Sequence, residues 1–222
     1  MQKFDLIIFD CDGVLVDSER LANQVFADVL NRELGFSLSL DQMFDVFVGH
    51  SSAQCIAIIE EMLGSKPPED LEAKYQAEIN TALKNSVEAV SGIETTLAQI
   101  DAPYCVASSG SYEKMATTLG KTQLLRFFEG KLFSTSDVER GKPFPDIYLH
   151  AANTMGVTDP SKCLVIEDSA IGVKGAVAAG MIVFGYAELT KADTLSAAGA
   201  HHTFNNMAEL AAEIQQFLQC DS

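Results

Sequence analysis

The chain has 222 residues, 47% of them hydrophobic, and its 31 Asp and Glu against 15 Lys and Arg give a formal net charge of −16. That length holds one sizeable α/β domain, or a core domain with a smaller companion, around an ordinary globular core. The charge argues against nucleic acid as a partner, because no basic stripe meets a phosphate backbone; no apolar stretch reaches the ~20 residues of a membrane span.

The first apolar run, residues 6–9, predicts a buried strand, and it ends in Asp10-Cys11-Asp12-Gly13-Val14-Leu15. Residues 16–88 then change character: helical periodicity covers 20–34, 40–47, 53–63 and 70–85, with a loop at Ser65-Lys66-Pro67-Pro68 and no strand between. Beyond them short apolar runs alternate with helices. Helix 94–100 precedes strand 104–107, helix 113–119 precedes strand 131–133, and helix 146–155 runs from Pro145 to Gly156. Strand 163–166, helix 170–179 (closed by Gly180, with Gly172 and Gly175 allowing close packing), strand 182–186 and helix 208–218 complete the pattern. Strands apolar on both faces and alternating with helices predict an α/β fold with a doubly wound parallel sheet. The organisation expected is a core of residues 1–15 plus 89–222 with an inserted all-helical domain of residues 16–88, hinged near residues 14–17 and 88–92.

The five cysteines, Cys11, Cys55, Cys105, Cys163 and Cys220, have no CxxC spacing, and three sit in or beside apolar runs. They are expected as free thiols in a reduced compartment. The opening residues carry an acid too early and too short an apolar run for a signal peptide, so the expected location is cytoplasmic.

Three strand ends are chemically marked. An interior strand cannot carry Asp10 and Asp12 unneutralised, and a hard divalent cation such as Mg²⁺ is the natural partner of carboxylate oxygens. Strand 104–107 runs into Ser108-Ser109-Gly110-Ser111, strand 163–166 into Glu167-Asp168-Ser169, and Arg140-Gly141-Lys142-Pro143 lies between them. In open parallel sheets ligands bind beyond the carboxyl ends of the strands. The roles then fit together. Asp10 attacks phosphorus as a nucleophilic carboxylate, and Asp12 protonates the leaving group and later takes a proton from water. Glu167 and Asp168 complete an Mg²⁺ site with Asp10. Ser108, with the amides of Ser109 and Gly110, holds phosphate oxygens, and Lys142 offsets the negative charge. Arg20 and Arg140 flank the predicted cleft and can meet a second anionic group.

This ordered set, Asp10-Cys11-Asp12-Gly13-Val14-Leu15, Ser108, Lys142-Pro143 and Glu167-Asp168, resembles the haloacid dehalogenase superfamily of phosphotransferases over nearly the whole chain. The resemblance implies a Rossmann-like core, an aspartyl-phosphate intermediate on Asp10, Mg²⁺ as cofactor and a metal ligand from the main-chain carbonyl of Asp12. It makes the helical insert a cap domain. The subgroup most similar contains beta-phosphoglucomutases and small sugar-phosphate phosphatases.

Asp12 argues against dehalogenases, which lack that second aspartate. The absence of Lys and Arg from residues 45–65 argues against phosphonoacetaldehyde hydrolases, which need a cap lysine. Ala22 stands where the mutases carry a cap histidine. The resemblance thus implies a phosphatase of small phosphate monoesters; a phosphosugar mutase and a catalytically silent binding member are the alternatives. Residues 134–143 are similar to those of bacterial sugar-phosphate phosphatases, including 6-phosphogluconate phosphatases, which makes 6-phosphogluconate the lead substrate. Phe47-Val48-Gly49-His50-Ser51-Ser52 matches the cap loop that reaches over the active site, with Gly49 permitting the bend and His50, Ser51 or Ser52 meeting the leaving group. Phe26, Phe44, Phe47 and Met62 are expected in the cap core, and His150, His201 and His202 as structural or surface residues. The expected partner is a small phosphorylated metabolite, with neither nucleic acid nor membrane, and the chain is expected as a monomer or weak dimer.

Overall fold

The structure, a computed structural model, describes residues 4–48, 50 and 52–220, the side chain of Cys220 excepted. It divides into two units: the chain up to Asp17 together with everything from Glu88 onward, and Ser18–Val87. The first unit is built on β1 (Leu6–Phe9), β2 (Tyr104–Ser108), β3 (Leu132–Ser134), β4 (Cys163–Glu167), β5 (Ile182–Tyr186) and β6 (His202–Phe204). These form one six-stranded sheet in the order β3-β2-β1-β4-β5-β6, every pair parallel. The order reverses between β1 and β4, the switch point where doubly wound sheets open a crevice at their carboxyl ends.

Ser18–Val87 holds four helices, α1 (Ser18–Leu34), α2 (Leu40–Phe47), α3 (Ser52–Leu63) and α4 (Leu71–Asn85). Ser39 starts α2 with a reciprocal capping box to Gln42. The unit has its own core of Ala27, Val29, Leu30, Met43, Phe47, Ile59 and Leu71, joined by Phe26 and Tyr75. Met62, expected in that core, is 43% exposed: the last turn of α3 contributes nothing to the cluster, which ends at Ile59. Phe44 instead lies under the Arg20 guanidinium, 5.6 Å from the ring centre.

The sheet is flanked by α5 (Ile93–Gln99), α6 (Tyr112–Lys121), α7 (Asp146–Thr154), α8 (Ala170–Ala178), α9 (Ala192–Ala198) and α10 (Leu210–Cys220). Leu6, Ile8, Cys105, Ala107, Cys163, Val165 and Val183 pack against Ile147, Tyr148 and Ala151 of α7 and Val173 and Ala176 of α8. The other face carries Phe9 edge-on to Tyr104 and Phe128, and Phe184 against Phe217 of α10. Each fully buried aliphatic or aromatic side chain contributes about 1.5–3 kcal/mol, so the strand ends rest on a rigid floor.

Two elements escape the sequence pattern. β6 is a three-residue edge strand in which only Phe204 is buried, and α9 is built of small residues with Leu195 its single buried one. Val16, Asp17 and Glu88, assigned to the helical insert from sequence, belong to the α/β unit. Val16 bridges both Asp12 and Ala89, and the Asp17 amide donates to the Glu88 carbonyl at 2.9 Å. Cys11, Cys105 and Cys163 are buried free thiols and Cys55 is half-buried. Among the described residues no helix is long and apolar enough to cross a membrane.

Candidate active site

The sheet ties β1 to β4 where their chemistry begins: the Asp10 amide donates to the Ile166 carbonyl at 3.0 Å. The chain then turns sharply, with the Gly13 amide on the Val16 carbonyl at 2.8 Å and Gly13 at φ +77°. Lys142, 4% exposed, extends its ammonium between the two strand ends. Its Nζ lies 2.5 Å from Asp10 Oδ1 and 2.6 Å from Glu167 Oε1, and 5.1 Å from the centre of the Tyr148 ring.

Glu167 is fully enclosed by donors. Oε1 accepts from Lys142 and from the Tyr148 hydroxyl at 2.9 Å; Oε2 accepts from the Ser169 amide at 3.0 Å and its hydroxyl at 2.9 Å. Its carboxylate lies so close over α8 that a Cβ on Gly172 would overlap it. This corrects the expectation that Glu167 is a metal ligand. All its acceptor sites serve Lys142, Tyr148 and Ser169, and its role is to anchor the lysine. Gly172, expected to ease helix packing, instead makes room for that carboxylate.

One ammonium between two buried carboxylates leaves an excess negative charge, and the environment divides it unequally. Burial, with Glu167 and Asp12 adding to it, outweighs the Lys142 ammonium at Asp10 and pushes its pKa up from 3.8 to about 7. Burial pushes Glu167 upward too, but Lys142, Ser169 and Tyr148 outweigh it and hold its carboxyl below the usual value. Burial opposes the charge on Lys142, and the two carboxylates reverse that, keeping the lysine well above its ordinary pKa. Glu167 and Lys142 are thus a standing ion pair, and Asp10 is the group whose charge awaits another cation.

The oxygen donors suit that cation. Asp168 follows Glu167, and its carboxylate lies against Gly13: a Cβ there would stand 2.7 Å from Asp168 Cγ. Only a glycine admits Asp168 to the turn that carries Asp12. Among the described residues no three His, Cys, Asp or Glu side chains form a metal cage of their own. Mg²⁺ does not need one; it is usually held by one or two carboxylates and keeps waters or phosphate oxygens for the rest. Asp10 and Asp168 fit that requirement, with the Asp12 carbonyl as the third protein donor that the family resemblance implies.

Ser108, 1% exposed at the end of β2, accepts the Gly110 amide on its Oγ at 2.9 Å. It can therefore offer a phosphate its hydroxyl hydrogen. The Gly110 amide, expected on phosphate, is spent within this turn, which corrects that assignment. The Gly110 carbonyl accepts from Ser134 Oγ at 2.8 Å and the Ser109 carbonyl from Thr135 Oγ1 at 3.2 Å, so the loop is pinned to the turn after β3. Arg140, expected on substrate, is likewise committed elsewhere. Its guanidinium grips Asp146 at 2.7 and 3.0 Å and lies 4.6 Å from the Phe144 ring centre, because a planar fork matches a carboxylate better than open solvent does.

Within the helical unit His50 and Ser52, both exposed, line a cavity of about 180 Å³ with Phe26, Phe47, Cys55 and Tyr75. Gly49 and Ser51 lie outside the described residues. His201 accepts the Val183 amide on Nδ1 at 3.1 Å, His202 stands 3.0 Å from Glu213, and His150 packs edge-on to Phe133.

Sequence reasoning missed two residues. Tyr148 looks like core, and its signal is a single polar tip on the apolar stripe Ile147, Tyr148, Ala151, Ala152. Lys114, in the first turn of α6, reaches Asp12 Oδ2 with its Nζ at 2.8 Å; its signal is a cation at the positive end of a helix.

Known proteins share this fold. The chain is 35% identical over 185 residues to the 6-phosphogluconate phosphatase of Escherichia coli, covering 83% of each. A crystal structure of a haloacid dehalogenase-like protein from Agrobacterium tumefaciens matches at TM-score 0.88 and 35% identity, covering 97% of this chain and 99% of that one. A HAD family hydrolase from Deinococcus radiodurans, with bound phosphate and sodium, matches at TM-score 0.86 and 31% identity over 97% of both chains. The family model of the haloacid dehalogenase-like hydrolases matches residues 7–186, a span that runs from β1 through β5 and takes in every strand end described above, and the chain belongs to that family.

Proposed function

We propose that the chain is a Mg²⁺-dependent phosphatase of a small sugar or sugar-acid phosphate that carries the phosphoryl group on Asp10. The observation that carries this reading is the Asp10–Lys142–Glu167 arrangement: a carboxylate at a strand end, held by a lysine that a second carboxylate anchors. Asp10 presents an oxygen to phosphorus, and the leaving alkoxide takes the proton of Asp12. Water then attacks the acyl phosphate, Asp12 takes the water proton, and free phosphate and the Asp10 carboxylate are restored. Lys142 offsets charge on the phosphoryl oxygens throughout, and Ser108 donates its hydroxyl hydrogen to one of them. Asp10, Asp168 and the Asp12 carbonyl would hold Mg²⁺, which would supply the charge neutralisation that lets a dianionic phosphate approach a carboxylate.

As a family member with a curated relative named for phosphatase activity, the chain is a phosphoric monoester hydrolase. The same relative makes 6-phosphogluconate the first substrate to try, and the phosphate bound to the Deinococcus radiodurans hydrolase supports a phosphate site in this fold. The test is phosphate release with Mg²⁺ from 6-phosphogluconate, hexose phosphates, phosphoglycolate and beta-glucose 1-phosphate. Preference for a sugar or sugar-acid ester is the expected result. Isomerisation of beta-glucose 1-phosphate without phosphate release would replace the hydrolase by a mutase.

A further inference from the structure

Lys114 sits where helix physics disfavours it. Ser111 caps α6, its Oγ accepting the Lys114 amide at 3.2 Å, which makes Lys114 the third residue of the helix. That position favours Glu or Gln, and the helix dipole there repels a cation. The side chain nevertheless crosses to Asp12, 102 residues away in sequence, and sets Nζ 2.8 Å from Oδ2. With side-chain exposures of 38% and 22% the pair adds little to stability.

Gly110 lies beside this pair. A Cβ on Gly110 would stand 3.3 Å from Ser108 Oγ, 3.5 Å from Lys114 Cδ and 3.7 Å from Asp12 Oδ2. Only the Ser108 contact is tighter than ordinary van der Waals spacing, so Gly110 borders the path from Lys114 to Asp12 and packs against both.

We propose that Lys114 is a positioning residue that fixes the Asp12 carboxyl for proton transfer; the inference rests on the acid–base role of Asp12 given above. An ammonium can only donate, so it holds Oδ2 as an acceptor whether Asp12 is ionised or not. The proton that Asp12 delivers to the alkoxide, and later receives from water, therefore resides on Oδ1. Lys114 stays an ammonium in both steps and neither gains nor loses a proton. Without it Oδ2 of Asp12 loses this donor, and the carboxyl turns more readily to staggered wells that do not face the reacting oxygen.

The test is a double-mutant cycle on para-nitrophenyl phosphate with Mg²⁺, a probe whose use does not depend on which sugar phosphate is the substrate. Lys114→Met is expected to lower kcat roughly tenfold, within the range general acid–base catalysis contributes, with KM changed less than about twofold. In an Asp12→Asn background the same substitution is expected to cost less than about twofold, because a residue acting through another is non-additive with it. Lys114→Arg is expected to recover much of the loss. An equal loss in both backgrounds, a loss confined to KM, or no loss at all would overturn the proposal. A crystal structure of Lys114→Met supplies a readout independent of turnover. Asp12 is expected to leave its position, and an unmoved carboxyl would also overturn it.

Discussion

Replacing Asp10 by Asn separates what this carboxylate does for the reaction from what it does to the fold. In the metal-free protein the folded-state pKa is about 7, against an ordinary value of 3.8, because burial and the neighbouring carboxylates outweigh Lys142. Between pH 5 and 7 the unfolded chain is ionised at this position while the folded one keeps its proton. The stability Asp10 contributes is thus present in acid and is lost as pH rises through 7, at about 1.4 kcal/mol per pH unit. Over that interval the loss is on the order of 2–3 kcal/mol, which for a chain of 150–250 residues corresponds to roughly 5–10 °C in Tm. Asparagine keeps the volume and an oxygen for Lys142 but cannot ionise, so it escapes this loss. In EDTA, the Tm of Asp10→Asn minus that of the parent is therefore expected to grow by that amount from pH 5 to pH 8. Groups common to both proteins cancel in the difference. Turnover with Mg²⁺ is expected to vanish, since an amide does not attack phosphorus. A Tm difference that stays constant between pH 5 and pH 8, or that shrinks, would refute the assignment of Asp10 as the carboxylate left uncompensated.

Two glycines test the neighbouring groups. Gly172→Ala places a methyl group on the Glu167 carboxylate; displacing that partner leaves Lys142 and Asp10 a broken buried network, with about 3–5 kcal/mol lost in urea unfolding and phosphate release largely abolished. A stable, active variant would show that Glu167 does not anchor the lysine. Gly13→Ala meets both a φ of +77° and the Asp168 carboxylate, and if Asp168 holds Mg²⁺ as proposed, displacing it is expected to cost about 10–100-fold in metal affinity. The Mg²⁺ concentration for half-maximal rate is expected to rise by that factor in an activity titration; an unchanged value would remove Asp168 from the metal site.

The strands that build the site were legible because they are short, apolar on both faces and stop at charged or small residues; β1, β2, β4 and β5 all read this way. β6 and α9 were not, since an edge strand with one buried residue and a seven-residue helix of mostly small side chains around one buried leucine carry no period to detect. Asp10, Lys142 and Glu167 were legible as a set because unpaired charges do not end interior strands without partners. What each does there was only partly legible. Glu167 and Asp168 are adjacent acids, and nothing in their sequence says that one faces Lys142, Tyr148 and Ser169 while the other faces Gly13. Arg140 read as a substrate contact because Asp146, its partner six residues on, read only as a helix start. Lys114 was illegible for the opposite reason: its partner lies on a different strand end, and only the parallel register of β1 and β2 brings the two together.

The unequal treatment of the two carboxylates on Lys142 fits the proposal of Asp10, and not Glu167, as the nucleophile. Each accepts a hydrogen bond from the same ammonium at nearly the same distance. Glu167 has three further donors from Tyr148 and Ser169, and these stabilise its charge and saturate its lone pairs, so it has neither a proton to exchange nor an electron pair to offer. Asp10 receives no such support. Its charge is the unstable one, raised by burial and by Glu167 itself, and its carboxyl is the one that gains from a divalent cation and from an arriving phosphorus atom. Glu167 holds the lysine in place, and the lysine holds Asp10 without fully neutralising it. Removing the Tyr148 or Ser169 donors would blur that distinction by leaving Glu167 to compete for Lys142 on equal terms, which is why a buried tyrosine hydroxyl two groups away from Asp10 belongs to the chemistry of the site.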